Sequence, residues 1–186
     1  MAHAESLTMA SLTDLLTIKG AYLLAYGWLY GMSIWISFFG GIIAYRSLPK
    51  HQFGALQHRT FPVYFASSVL LSSVLLALWA YTHAGILSNL ARPSHPDVAQ
   101  AYALGSVTLF QGINQFVVGP LTSKTMFKRH KLEKEEGKSY HEPNVSAEMK
   151  ALNSRFGMLH GISSVANLGA VIALGFHGLW LGNNGL

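Results

Sequence analysis

Hydrophobic and polar positions divide the chain into four long apolar runs. No Asp, Glu, Lys or Arg occurs from Gly20 to Tyr45, from Thr60 to Ala91, from Val98 to Ser123, or after Arg155. A helix rises about 1.5 Å per residue, so about 20 apolar residues cross a hydrocarbon core of about 30 Å. The runs predict helical spans at about 20–45, 62–86, 98–120 and 156–181. The predicted fold class is all-α: a four-helix transmembrane bundle, with short amphipathic helices in the N-terminus and in the basic loops. Residues 20–186 form a single four-span membrane domain, preceded by an interfacial segment, 1–19.

Local signals refine this outline. Ser11-Leu-Thr-Asp14 resembles a capping box, and Leu12, Leu15, Leu16 and Ile18 predict a brief interfacial helix. Residues 1–19 hold Glu5 and Asp14 but no Arg, unlike a secretory signal or a mitochondrial presequence. Gly40-Gly41 is expected to loosen the first span. In the loop 46–61, Pro49 suits a first helical position, and Phe53, Leu56 and Gln57 share one side of a short helix. Phe61-Pro62-Val-Tyr-Phe65 reads as an aromatic belt opening the second span, and Pro120 as the end of the third. In the loop 121–155, a helix extends from the third span, Gly137 to Pro143 turn, and a helix starts at Ser146. Gly27 with Gly31 and Gly157 with Gly161 are small-xxx-small pairs for helix packing. Gly105 and Gly112 extend the set and, with Gly119, recur every seven residues, nearly two turns.

Composition agrees: the chain is 51% apolar and only 11% charged, against about 25% in soluble domains. It has no Cys, which excludes disulfides and thiolate chemistry. The formal charge is +5, but its placement argues for a membrane rather than a nucleic acid. Eleven of the thirteen Lys and Arg fall in the first and third loops; only Lys19 and Arg92 lie opposite. The positive-inside rule then places both loops in the cytosol and both termini outside or in a lumen. Asn144-Val-Ser146 is a formal glycosylation sequon, predicted to stay unmodified on that side. Arg46, Lys50, Arg59 and Arg155 are candidate headgroup or loop contacts, suited to anionic lipid.

By depth, the polar residues within the spans gather in the half of the bundle nearest the basic loops. Ser37, Ser68, Gln111, Asn114, His160, Ser164 and Asn167 form a candidate polar cluster. Such a cluster either lines a path or only ties helix to helix. The spans hold no carboxylate pair, nucleophile or general base, so the chain is not expected to be an enzyme. A haem reading offers His83, His160 and His177; a soft-metal reading offers only Met32 and Met158. Neither is adopted: no cofactor and no metal site is expected.

Several of these residues also carry a family resemblance. Gly31-Met-Ser-Ile-Trp35, Arg46-Ser-Leu-Pro-Lys-His-Gln-Phe-Gly54, Gln57, Phe61-Pro-Val-Tyr-Phe65, Leu132-Glu-Lys-Glu-Glu-Gly137 and His160-Gly-Ile-Ser-Ser164 with Asn167-Leu-Gly169 resemble the eukaryotic transmembrane protein 205 family. The resemblance, which covers nearly the whole chain, implies four spans and an association with platinum-drug resistance and endomembranes. It implies no defined transport mechanism and no catalytic residue. An animal-type His early in the first span is Tyr22 here, and an animal-type Cys in the fourth span is absent. Three functions follow as expectations. The first is a non-catalytic accessory or structural subunit packing against partner proteins within a larger membrane complex. The second is a small transporter or export factor; the third, a haem protein. The expected location is multi-pass in an endomembrane, with the mitochondrial inner membrane as the alternative.

Overall fold

The computed structural model describes Met9, Thr13 and residues 16–186. The capping box at Ser11 and most of the expected interfacial helix lie outside the described residues. Four long helices account for nearly all the rest, and no strand occurs among the described residues. They are α1 (Ile18–Ser47), α2 (Lys50–Thr82), α3 (96–136) and α4 (Ala147–Asn184). α3 joins Pro96–Ile113 and Gly119–Glu136 through a π-turn at Asn114–Val118. α1 and α3 each pack against α2 and α4, which places them at opposite corners of a square bundle.

α1, α2 and α4 are long and apolar enough to cross a membrane. α3 is the most polar of the four through the bundle, because it supplies interior amides: Gln100, Gln111 and Asn114 are fully buried. It nevertheless runs beside α2 over most of α2's length. Trp79 Nε1 donates to the Asp97 carbonyl, Ser72 meets Thr108, Gln111 meets Tyr64 and His58 meets Ser123.

The bundle is apolar outside and partly polar inside. Leu24, Trp28, Phe116, Val165 and Leu179 are each more than 70% exposed, while Ser33, Ser68, Ser72 and His177 are fully buried. Apolar surface on this scale is a liability in water and matches a lipid solvent.

Helix ends follow local chemistry. Thr17 caps α1 by accepting from the Gly20 amide at 3.0 Å. Ser146 caps α4 by accepting from Met149 at 3.1 Å. Gly137 closes α3 in the left-handed conformation, φ 64°, which only glycine adopts without strain.

Continuity differs from the sequence expectation at both prolines. α2 begins at Lys50, with Pro49 as its cap, and runs unbroken through Pro62 instead of restarting there. Residues 46–61 are therefore mostly helix. Pro120 does not end α3. A proline lacks an N–H and its ring crowds the carbonyl four residues back. The helix widens by one residue immediately before it, and the Gly119 amide bonds the Asn114 carbonyl, five residues back. A Cβ on Gly119 would lie 2.6 Å from that oxygen, so the π-turn needs glycine there. A second π-turn, Trp35–Gly40, sits where Gly40-Gly41 was expected to loosen α1.

The basic ends of α2, α3 and α4 pack together beyond the apolar zone. Arg129 is buried, its guanidinium 3.8 Å from the Tyr140 ring centroid and 4.6 Å from that of Phe156. Asn153 Nδ2 donates to the Tyr140 carbonyl at 2.9 Å. These contacts fix the turn between α3 and α4.

Gly119→Ala is expected to lower stability by about 1–3 kcal/mol, as over-packing does. Gly112→Ala, whose Cβ meets nothing within 4 Å, should stay within about 0.5 kcal/mol of the parent. Denaturant unfolding of both variants in detergent is the check.

Candidate functional site

One hydrogen-bonded network links all four helices near mid-bundle. Asn167 of α4 is its hub. Its Oδ1 accepts from Tyr64 Oη of α2 at 2.7 Å and from Gln111 Nε2 of α3 at 3.0 Å. Its Nδ2 donates to Ser37 Oγ of α1 at 2.6 Å. Gln111 Nε2 also reaches Tyr64 Oη at 3.1 Å. Ser37 in turn donates to the Ser33 carbonyl one turn back. One turn from Gln111 along α3, Asn114 Nδ2 donates to the Ser163 carbonyl of α4 at 3.2 Å. Gln111 Oε1 and Asn114 Oδ1 are buried without a hydrogen-bond partner among the described residues.

Of the seven residues in the predicted cluster, Ser37, Gln111 and Asn167 meet directly. Asn114 lies beside them, and Ser68 is fully buried one turn beyond Tyr64. His160 and Ser164 do not join. Both are exposed, Ser164 Oγ donates to its own helix at the His160 carbonyl, and His160 stacks along Phe156. Ser164, three residues before Asn167, stands about 60° around α4 from it, whereas His160, seven residues before, shares its face but lies about 10 Å further along the helix toward the basic end. The residue that the sequence reading missed is Tyr64, assigned there to an interfacial belt. Its spacing of four from Ser68 and eight from Ser72, both buried, marks the inward face of α2.

A second buried node lies toward the other end. His177 of α4 is fully buried between Tyr22 of α1 and Gln100 of α3. Nδ1 lies 2.9 Å from Gln100 Oε1 and Nε2 lies 2.7 Å from Tyr22 Oη. An amide oxygen only accepts, so this network assigns the proton to Nδ1, and Nε2 accepts from the tyrosine. The node bears on the haem reading, since both ring nitrogens of His177 are engaged. His83 stacks on Trp79 with ring centroids 3.9 Å apart, its Nδ1 within 3.0 Å of the Trp79 carbonyl oxygen.

The predicted headgroup contacts Arg46, Lys50, Arg59 and Arg155 are all exposed. The packing glycines divide into two groups. Among the described residues, a Cβ on Gly27, Gly31, Gly112, Gly157 or Gly161 would meet nothing within 4 Å, and one on Gly105 only Leu76 at 3.9 Å. By contrast Gly169 and Gly178, not among the packing glycines expected from the sequence, are closely packed against Phe110 and Tyr26.

On the basic side the fold also gathers His51, His130 and Glu133, whose ligand atoms lie within 4.8 Å of one another. Sequence reading placed no metal there, because His51 and His130 stand 79 positions apart and only the α2–α3 packing joins them. Burial, with His51 adjacent, lowers the pKa of His130 from its usual value.

Comparison with known proteins adds two findings. Residues 24–131 match the model of a domain of unknown function, DUF4149. Transmembrane protein 205 of Danio rerio is similar to the chain at 27% identity over 164 residues, covering 81% of this chain and 84% of the relative. No solved structure matches.

Interhelical hydrogen bonds in bilayers average about 0.6 kcal/mol and reach about 1.7. Asn167→Leu breaks three of them and is expected to cost about 2 kcal/mol in detergent unfolding. Ser164→Ala, which removes a hydrogen bond within its own helix, should be nearly silent in the same measurement.

Proposed function

This chain belongs to the DUF4149 family of transmembrane-protein-205-like membrane proteins, and we propose that it acts by association, as a non-catalytic accessory or structural subunit that packs against partner membrane proteins. It is a multi-pass integral membrane protein, and its apolar exterior meets lipid. One contrast carries the reading. Two glycines that face the chain's own helices, Gly169 and Gly178, are packed against the aromatic rings of Phe110 and Tyr26. At the two Gly-xxx-Gly pairs, Gly27 with Gly31 and Gly157 with Gly161, an added Cβ would meet nothing within 4 Å among the described residues. Mid-helix glycine costs about 1 kcal/mol relative to alanine. A close-packing face left open within one chain suits a helix from another.

The export reading draws on a different observation. Among the described residues, Gln111 Oε1 and Asn114 Oδ1 are unpartnered acceptors inside the bundle, at and just before the π-turn of α3. Acceptors so placed suit a transient polar cargo or water. The rest of the network is closed by its own hydrogen bonds, so this remains the second reading.

In either case four spans are proposed, with α3 crossing alongside the three more apolar helices, the basic ends in the cytosol and an endomembrane as the location. The absence of native cysteine makes the topology directly testable. In sealed vesicles with the cytosolic face outward, Lys138→Cys should react with an impermeant maleimide at once. Arg92→Cys should react only after permeabilisation. The reverse pattern would invert the topology.

Native mass after gentle detergent extraction tests association. The parent should run as a stoichiometric assembly. Gly27→Leu with Gly31→Leu, or Gly157→Leu with Gly161→Leu, should release the single chain while leaving its melting temperature unchanged. A parent that is already a single chain would sink the association reading. Loss of activity in Asn114→Leu, with the fold retained, would then favour export.

A further inference from the structure

We infer that His51, His130 and Glu133 form a binding site for a divalent metal of borderline softness, Zn²⁺ being the best match, at the basic surface of the bundle. Two imidazoles and one carboxylate are a donor set that such ions favour, and three protein ligands leave a position open. The fold presents them from two helices. His130 and Glu133 stand one turn apart on α3, and His51 faces them from the start of α2. His51 Nε2 lies 3.4 Å from Glu133 Oε2, and the His51 and His130 ring centroids are 4.5 Å apart. Two ligands at about 2.0–2.1 Å from a tetrahedral ion are themselves roughly 3.3–3.4 Å apart.

The carboxylate supplies the independent observation. The Glu133 side chain is only 9% exposed, and its two oxygens do different things. Oε1 accepts from the Tyr140 backbone amide at 2.9 Å, which fixes the carboxylate plane as an outer-shell partner fixes a metal ligand. Oε2 is buried with no hydrogen-bond partner among the described residues and is aimed at the imidazoles; its 3.4 Å approach to His51 is long for a hydrogen bond. A buried carboxylate oxygen left unpaired is costly, and a cation between it and the two rings would satisfy it.

Close approach of the two helices is also provided for. A Cβ at Gly54, one turn after His51, would lie 3.1 Å from Met126 Sδ and 3.6 Å from His130 Cε1. Glycine lets α3 come near enough for His130 to reach His51. The open position faces a groove of about 810 Å³ walled by Lys131, Lys134 and Lys138. These lysines oppose a bare cation, and an anion or hydroxide on the fourth position offsets that repulsion. The metal would join α2 to α3 and, through Glu133 and Tyr140, to the turn leading into α4.

Calorimetric titration of ZnCl₂ into the chelator-treated full chain in detergent tests the site. One saturable ion per chain is expected. His51→Ala, an exposed position, and Glu133→Gln, which keeps the acceptor for Tyr140, should each weaken binding by about 100-fold or more. That is at least the loss typical of outer-shell changes. His160→Ala, at an exposed histidine elsewhere, should bind like the parent. Co²⁺ in place of Zn²⁺ should give the intense visible bands of a four-coordinate site. No stoichiometric binding by the parent, or binding that neither ligand variant alters, would reduce the cluster to a histidine–carboxylate pair and overturn the inference.

Discussion

The structure depends on one constraint: inside hydrocarbon a polar group must find its partner within the protein. Asn167 meets it for four helices at once. Its oxygen gathers α2 and α3, its nitrogen gathers α1, and the backbone that carries it is α4. Lipid supplies no hydrophobic force to pull apolar helices together, so such links and close packing set which faces turn inward. The Tyr22–His177–Gln100 node repeats the solution at another level of the bundle. With most of the polar groups turned inward, the exterior is left largely apolar, with large apolar side chains such as Leu24, Phe116 and Leu179 exposed.

α3 bears the cost of this arrangement. It supplies Gln100, Gln111 and Asn114 to the interior and is the most polar helix as a result. Its position against both α2 and α4 provides the partners that a lone helix of this composition would lack in lipid. Polarity and enclosure are therefore two aspects of the same placement.

Much of the fold was legible in the sequence because spacing and composition report local physics. Long uncharged runs located the helices, Gly137 and Ser146 marked a stop and a start, and the basic segments lay on one side. The site was less legible because it depends on rotation as well as depth. Each π-turn inserts one residue and turns everything beyond it by about 100°. The seven-residue rhythm of Gly105, Gly112 and Gly119 thus stops describing a single face at Asn114–Val118. The same sensitivity to rotation separates Asn167, inside, from Ser164, outside. Proline misled in the opposite direction: Pro62 and Pro120 look like ends, yet each lies within a continuing helix. The association of His51 with His130 is tertiary and has no local signature.

The unbroken course of α2 has a mechanical consequence. His51 and Tyr64 belong to one rod and lie about 20 Å apart along it. Only at Pro62 is a rung of the helix ladder missing, so flexure concentrates there. The surface segment is a lever with its fulcrum at the edge of the apolar zone. Beyond that fulcrum Tyr64 rides on the same helix, so the surface segment and the Asn167 network share one continuous backbone.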